Sequence, residues 1–164
     1  MEVLEKAIIK YLKARKELLS IAALYPEHFS GNDNIIGRIG EYIAIKFLSE
    51  HNEYPSKPEF SNNKGYDLIF KNKKIQVKVI TSENKSGKTV RLVEPWDQFI
   101  LIDLDLESLT ARIGMISRDK FNKAIQDNNK LSKNPIVKSS MLGKNGLIGK
   151  YGEVYENYQI IQVL

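Results

Sequence analysis

Alternating apolar and polar residues predict a β-hairpin between residues 65 and 80. The apolar positions of its second strand are Ile75, Val77 and Val79. Because alternate side chains of a strand point to opposite faces, Gln76 and Lys78 are expected to share the other face. The basic turn at 71–74 folds the first strand back antiparallel. Asp67, which opens that strand, should therefore converge with Gln76 and Lys78 at one edge of the sheet.

A helical pattern covers residues 34–48, with Asn34 as the expected N-cap. The apolar arc of this helix contains Ile43, Ala44, Ile45, Phe47 and Leu48. Glu41 falls inside the arc, where an unpaired carboxylate is costly. A metal ion would explain the position of Glu41. An ion pair with Arg38 or with a lysine elsewhere is the alternative.

The remaining patterns predict further elements around this core. They are an N-terminal helix at 3–24, strands at 96–102 and 111–116, a helix at 118–127 and a final strand at 158–164. The apolar stripe of the first helix consists of Leu4, Ile8, Tyr11, Leu12, Leu18, Leu19 and Ala22. This stripe is expected either to cover the core or to form a dimer.

The helix with Glu41, the strand with Asp67 and the following Gln76-x-Lys78 resemble the PD-(D/E)xK, or restriction-endonuclease-like, nuclease superfamily. The resemblance covers roughly residues 34–127. It implies an α/β fold whose core is a mixed sheet of about five strands flanked by helices. It also implies that the protein hydrolyses phosphodiester bonds.

A divalent metal ion, Mg²⁺ with Mn²⁺ as a substitute, is the cofactor that this resemblance implies, and oxygen atoms would hold it. The implied ligands are Asp67, the Gln76 amide oxygen, the Val77 backbone carbonyl, and Glu41 directly or through water. Lys78 would hold the attacking water. Two positions depart from the superfamily pattern: Tyr66 replaces proline before Asp67, and Gln76 replaces an acid. The second departure removes one anion from the metal site, and Gln76→Glu is expected to strengthen metal binding.

The net charge of +5 is concentrated in one segment. Residues 129–152 contain five lysines and no Asp or Glu, so the rest of the chain sums to zero. Serine, asparagine and glycine fill much of this segment, which suits contacts with phosphates. A solvated loop is the alternative interpretation. We expect nucleic-acid contacts from Lys85, Lys88, Arg91, Lys138, Lys144 and Lys150.

Length and composition indicate one domain, because 164 residues with 42% hydrophobic residues can bury a single core. Within the domain 1–164 we distinguish an N-terminal helix at 1–24, a catalytic core at 34–127 and the basic segment at 129–152. The absence of cysteine excludes disulfides and cysteine-based zinc sites. The N-terminus is acidic and amphipathic, and no apolar run approaches the length of a membrane span. We therefore expect a cytoplasmic protein without a membrane partner.

Residues 82–89 are one residue short of a phosphate-binding P-loop, with Ser82 in the place of the first glycine. That motif needs a following helix, whereas residues 90–94 favour a strand and Pro95 comes next. No nucleotide cofactor is expected, and the loop should connect strands or approach nucleic acid.

Together these features predict a metal-dependent endonuclease of the restriction or host-defence type that cuts double-stranded DNA. A homodimer is expected, because two-fold symmetric DNA is cut on both strands most simply by a two-fold symmetric dimer. A structure-specific repair or Holliday-junction nuclease is one alternative. A catalytically weak nucleic-acid-binding module is another, suggested by Gln76.

Overall fold

A computed structural model describes residues 2–22, 34–59, 65–81 and 90–160. Its elements are α1 (Glu2–Ala22), α2 (Asn34–Glu50), β1 (Leu68–Phe70), β2 (Lys73–Thr81), β3 (Gln98–Asp105), β4 (Thr110–Ser117), α3 (Arg118–Asp127), a 3-10 turn (Ser139–Leu142), α4 (Leu147–Tyr151) and β5 (Glu153–Gln159). The strands form one sheet in the order β1-β2-β3-β4-β5. Strands β2 and β3 are parallel, and the other neighbours are antiparallel. The predicted mixed sheet of about five strands flanked by helices is confirmed.

The central strand β3 is covered on both faces. Four consecutive β3 residues, Phe99 to Ile102, have no exposed surface. Helices α1 and α2 cover one face of the sheet, and α3, α4, the 3-10 turn and residues 90–97 cover the other. A strand buried on both faces is continuously apolar rather than alternating, which accounts for this run.

The predicted hairpin is present, with Leu68 paired to Ile75 and Phe70 to Lys73. Its two turn residues, Lys71 and Asn72, both have positive φ angles, 47° and 64°. Two left-handed turn residues match the right-handed twist of the flanking strands in a two-residue hairpin. Strand β1 is short and pairs only with the first three residues of β2, so the rest of this edge of β2 is not paired with β1.

The helix predicted at 118–127 coincides with α3, and the Ser117 hydroxyl caps it by accepting from the Lys120 N–H. The helix predicted at 34–48 extends to Glu50 as α2. The N-terminal helix is confirmed as α1, although the predicted end at Leu24 lies outside the described residues. Of the expected α1 stripe, Ile8 and Leu12 are buried in the core, whereas Leu4 and Leu18 are exposed.

The final strand begins earlier than the predicted 158–164, which it overlaps at Tyr158 and Gln159. Strand β5 runs over Glu153–Gln159, pairs with β4 and ends before Ile160. Residues 161–164 lie outside the described residues. The start of β5 was missed because its residues are mostly polar, as suits an edge strand, and such a strand carries a weak apolar signal.

The basic segment 129–152 carries its own elements, the 3-10 turn and α4. It buries Val137, Met141, Leu142 and Ile148 against the sheet, while all five of its lysines are exposed. The segment thus adds a packed layer with a basic outer surface. Within the ranges given above, no helix has the length and apolar character needed to cross a membrane.

Helix α2 approaches β2 closely at Gly40. A Cβ atom at this position would lie 1.8 Å from Cγ2 of Val79, which is closer than any real contact. Valine is stiff at χ1, so it cannot easily move aside. Glycine at position 40 therefore sets the distance between the helix that carries Glu41 and the strand that carries Lys78.

Gly40→Ala is expected to push α2 away from β2 and to lower the free energy of unfolding by about 1–3 kcal/mol. Adding Val79→Ala should recover much of this loss, because it removes the clashing methyl group. Chemical denaturation of the single and double variants measures both effects.

Gly37→Ala is the matched control on the same helix. Gly37 is exposed, and a Cβ there meets nothing within 4 Å. The substitution should stabilise the protein by up to about 1 kcal/mol through helix propensity. Equal destabilisation by the two alanine substitutions would contradict the close-approach interpretation.

Candidate active site

Asp67 lies at the edge of β2, immediately before β1. Its Oδ2 atom accepts a 2.7 Å hydrogen bond from the Val77 N–H. The backbone N–H of Asp67 donates to the Ile75 carbonyl at 2.8 Å. Since the N–H and C=O of one strand residue point to the same side, the Val77 carbonyl also faces this edge. A carboxylate and a backbone carbonyl are thus placed side by side.

Glu41 on α2 is partly buried, with 23% of its side chain exposed. Its Oε2 atom lies 2.7 Å from Nζ of Lys57, which lies in the chain segment between α2 and β1. The sequence allowed either a metal ion or a lysine partner for Glu41, and the structure provides the lysine. This pairing holds Glu41 in a defined position at the rim of the site.

The electrostatics of Asp67 link these residues. Burial raises the pKa of Asp67, and the negative charge of Glu41 raises it further. The Val77 N–H and the positive charges of Lys78 and Lys57 act in the opposite direction without reversing the shift. Asp67, Glu41, Lys57 and Lys78 therefore form one electrostatic cluster, and three of them are residues that the sequence predicts for the site.

Gln76 is 1% exposed, and both ends of its amide are bonded to one residue. Its Nε2 donates to the Val93 carbonyl at 2.9 Å, and its Oε1 accepts from the Val93 N–H at 3.1 Å. Two reciprocal bonds fix the orientation of the amide. A carboxylate could accept from Val93 but could not donate to it, which gives a structural reason for glutamine at this position.

Lys78 is half-buried on β2, one residue beyond Val77. The alternation of the strand places it on the same face as Gln76. Its positive charge acts to lower the pKa of Asp67, against the upward shift that burial causes. The convergence of Lys78 with the acidic residues in one active site stays a prediction.

Residues 90–95 hold the site to the rest of the fold. Gly65, with φ of 88°, packs so closely on the Glu94–Pro95 backbone that a Cβ would lie 2.4 Å from it. Leu92 donates to the Pro135 carbonyl, and the Val90 carbonyl accepts from the Val137 N–H. Residues 90–95 therefore contact Gly65, two residues before Asp67, on one side and the basic segment 129–152 on the other.

The predicted nucleic-acid-binding residues fall into two groups. Lys85 and Lys88 lie outside the described residues. Arg91, Lys138, Lys144 and Lys150 are exposed, and Arg91 donates to the Asn134 carbonyl at 3.2 Å. Lys138 also lines a cleft of about 840 Å³ beside the carboxyl ends of β2 and β3. In this cleft Arg112 and the Ser139 hydroxyl both bind Asp103 at 2.5 Å.

In the described part of the chain, no three or more His, Cys, Asp or Glu residues are grouped to hold a metal ion. A metal at this site would therefore depend on two carboxylates together with neutral oxygen atoms. Asp67, Glu41 and the Val77 carbonyl supply hard oxygen donors, which Mg²⁺ prefers.

Sequence reasoning missed three residues that shape the site: Gly40, Lys57 and Val93. A glycine within the apolar pattern of α2 is the signal that marks Gly40 as a close approach. Lys57 and Val93 carry no signal of this kind, because one is a lysine among many and the other contributes only its backbone. Their roles depend on contacts between segments far apart in the sequence.

No family model and no curated protein matches the chain. Among solved structures, a bacterial homing endonuclease is similar at a TM-score of 0.43 and 16% sequence identity. The matched region covers 74% of this chain and 89% of that chain.

Asp67→Asn is expected to stabilise the free protein at neutral pH. Because the folded pKa is raised, folding of wild type becomes less favourable as pH rises from about 3.9 through the folded pKa, and the loss persists above it. Asparagine does not titrate and can still accept from Val77. Thermal unfolding between pH 3 and pH 8, roughly the carboxyl-to-neutral range, should show a smaller decline for the variant.

Asp97→Asn is the matched control. Asp97 also accepts a backbone N–H at 2.7 Å, from Lys74, but it is exposed. Because asparagine at this exposed position can also accept from Lys74, the substitution should leave thermal stability at neutral pH close to that of wild type. If the stability of Asp67→Asn declined with rising pH as much as that of wild type, burial of the ionised Asp67 carboxylate would not be the cause of the decline.

Gln76→Glu should lower the free energy of unfolding by about 1–3 kcal/mol, because it leaves the Val93 carbonyl without its donor. The sequence predicted stronger metal binding for the same variant, so the loss of folding stability and the gain in metal affinity have to be measured separately. Denaturation with and without Mg²⁺ separates the two effects. Gln98→Glu, at a half-buried position of β3, is the control, and full stability of Gln76→Glu would show that the Val93 pairing is dispensable.

Proposed function

We propose that this chain is a metal-dependent endonuclease that hydrolyses phosphodiester bonds in double-stranded DNA. The observation that carries the proposal is the position of Asp67, bonded to the Val77 N–H at the edge of β2, within the electrostatic influence of Lys78 and Glu41. Perturbed carboxylates beside a lysine are typical of sites that bind metal ions or move protons.

The residues present fit Mg²⁺, with Mn²⁺ as a substitute. Asp67 and the Val77 carbonyl would hold the ion, with Glu41 direct or through water, and Gln76 through the second lone pair of Oε1. When bound, the ion would offset charge on the scissile phosphate and favour hydroxide over water.

The side chains of the site would divide the remaining work. Lys78 would orient the attacking water through its ammonium group. Asp67 must be ionised to act. Because burial raises its pKa, lowering the pH should protonate it, and reduce activity, at a higher pH than for an exposed aspartate. Lys57 would hold Glu41 in place or release it when a cation arrives.

The substrate assignment rests on charge. All of the net charge lies in residues 129–152, whose lysines are exposed, and this segment is attached beside the site through residues 90–95. Contacts from Arg91, Lys138, Lys144 and Lys150, together with Lys85 and Lys88, which lie outside the described residues, would hold DNA phosphates. We further propose a restriction or host-defence role and a homodimer that cuts both strands.

A DNA-binding module with weak catalysis is the second candidate. It is favoured by two observations: Lys57 already pairs with Glu41, and the Gln76 amide is already bonded at both ends. Both contacts reduce the number of oxygen atoms open to a metal ion.

Lys78→Ala should reduce cleavage roughly 100-fold or more while leaving DNA binding and thermal stability close to wild type. The assay is incubation of plasmid, linear duplex and branched DNA with Mg²⁺ or Mn²⁺, with and without EDTA. Lys74→Ala, on the same face of β2, is the control and should retain cleavage.

The pattern of products also separates the alternatives. Discrete cuts in linear duplex would support the restriction role, and preference for branched DNA would indicate a structure-specific nuclease. Binding that survives EDTA without any product would support the binding module. Equal cleavage by wild type and Lys78→Ala would overturn the proposed site.

A further inference from the structure

The apolar arc of α1 is wider than the part that packs on the core. Ile8 and Leu12 are buried, at 7% and 0% exposure. Leu4 and Leu18 are 49% and 47% exposed. At about 100° per residue, these two positions lie beside the buried face rather than opposite to it. The apolar arc therefore continues from the core onto the protein surface.

The exposed part of this arc is a regular stripe. It consists of Leu4, Ala7, Tyr11, Ala14 and Leu18, in which both alanines are exposed and the half-buried Tyr11 packs partly against the core. The spacing alternates between three and four residues, which is the repeat of a coiled-coil seam. Two short alanine side chains between larger residues leave room for a neighbouring helix to approach.

We infer that α1 packs antiparallel against α1 of a second copy of this chain. Lys10 and Glu17 are exposed and flank the same side of the stripe. In an antiparallel pair, Lys10 lies beside Glu17 of the other copy, and the two-fold axis repeats this contact. In a parallel pair, Lys10 would instead lie near Arg15 of the other copy. The charges therefore favour a second copy of α1 as the helix that packs on this stripe, and they favour the antiparallel direction.

This interface gives the proposed homodimer a defined surface. The inference itself rests on α1 alone and does not depend on nuclease chemistry. Its experiments measure mass and cross-linking, so their outcome is distinguishable from failure of the proposed enzymatic function.

Cysteine cross-linking tests the direction of the helices, since the natural chain contains no cysteine. With Tyr11 packed on Ala14 of the other copy, position 7 faces position 18. A mixture of Ala7→Cys and Leu18→Cys proteins should form a disulfide-linked dimer. Neither variant alone should do so, because the two copies of position 7 lie about 16 Å apart along the helix axis. Cross-linking within each single variant would overturn the antiparallel arrangement.

Charge reversal provides a test without new side chains in the seam. Glu17→Lys should raise the dimer dissociation constant about fivefold, and Glu17→Lys combined with Lys10→Glu should restore it. Lys13→Glu, on the outer face of α1, is the control. Analytical ultracentrifugation measures the mass, and circular dichroism checks the fold. A wild-type chain that stays monomeric at all concentrations, or a Glu17→Lys variant with unchanged affinity, would overturn the inference.

Discussion

The hydrogen bond from the Val77 N–H to the Asp67 carboxylate is the contact around which the site is organised. The backbone of the hairpin pairs as far as Asp67, whose N–H reaches the Ile75 carbonyl. One step further along β2, a side chain replaces the backbone acceptor. The chain before Asp67 can therefore leave the sheet while its carboxylate stays at the edge. This part of β2 thus carries the Asp67 carboxylate at Val77 and the lysine at position 78, and the helix with Glu41 packs on the same strand at Gly40.

The same contact illustrates a conflict between stability and function. Burial and the neighbouring Glu41 both disfavour the ionised form of Asp67, whereas the Val77 N–H and two lysines favour it. Such a cluster is retained at a cost to folding, as is common where a site must meet a ligand. The stability comes from elsewhere, mainly from β3, which is buried on both faces. Two close contacts then hold the site residues against this stable core: Gly40 on Val79, and Gly65 on the Glu94–Pro95 backbone.

The sequence predicted those parts of the fold that depend on local patterns. The hairpin, α2 and α3 each combine a clear period with a turn or cap, as at Ser117. Strand β5 was misplaced because its polar residues suit an edge strand, whose sequence differs little from that of a loop. The partners of Glu41 and Gln76 were not predictable for another reason. Lys57 and Val93 lie 16 and 17 residues away from them and meet them only through the tertiary fold. The sequence pattern also could not predict which apolar residues of α1 face solvent. The apolar arc of this helix is wider than the part that packs on the core.

The two faces of the sheet separate the two interactions proposed for this chain. Helix α1 packs on the face that α2 also covers, whereas the basic segment 129–152 packs on the opposite face. Pairing of two chains through α1 therefore leaves the exposed lysines of the basic segment uncovered. The site at the edge of β2 lies between these layers, since Glu41 comes from one face and the Gln76–Val93 contact from the other. A dimer built in this way would keep both sites open, because neither the edge of β2 nor the basic surface is used to hold the chains together.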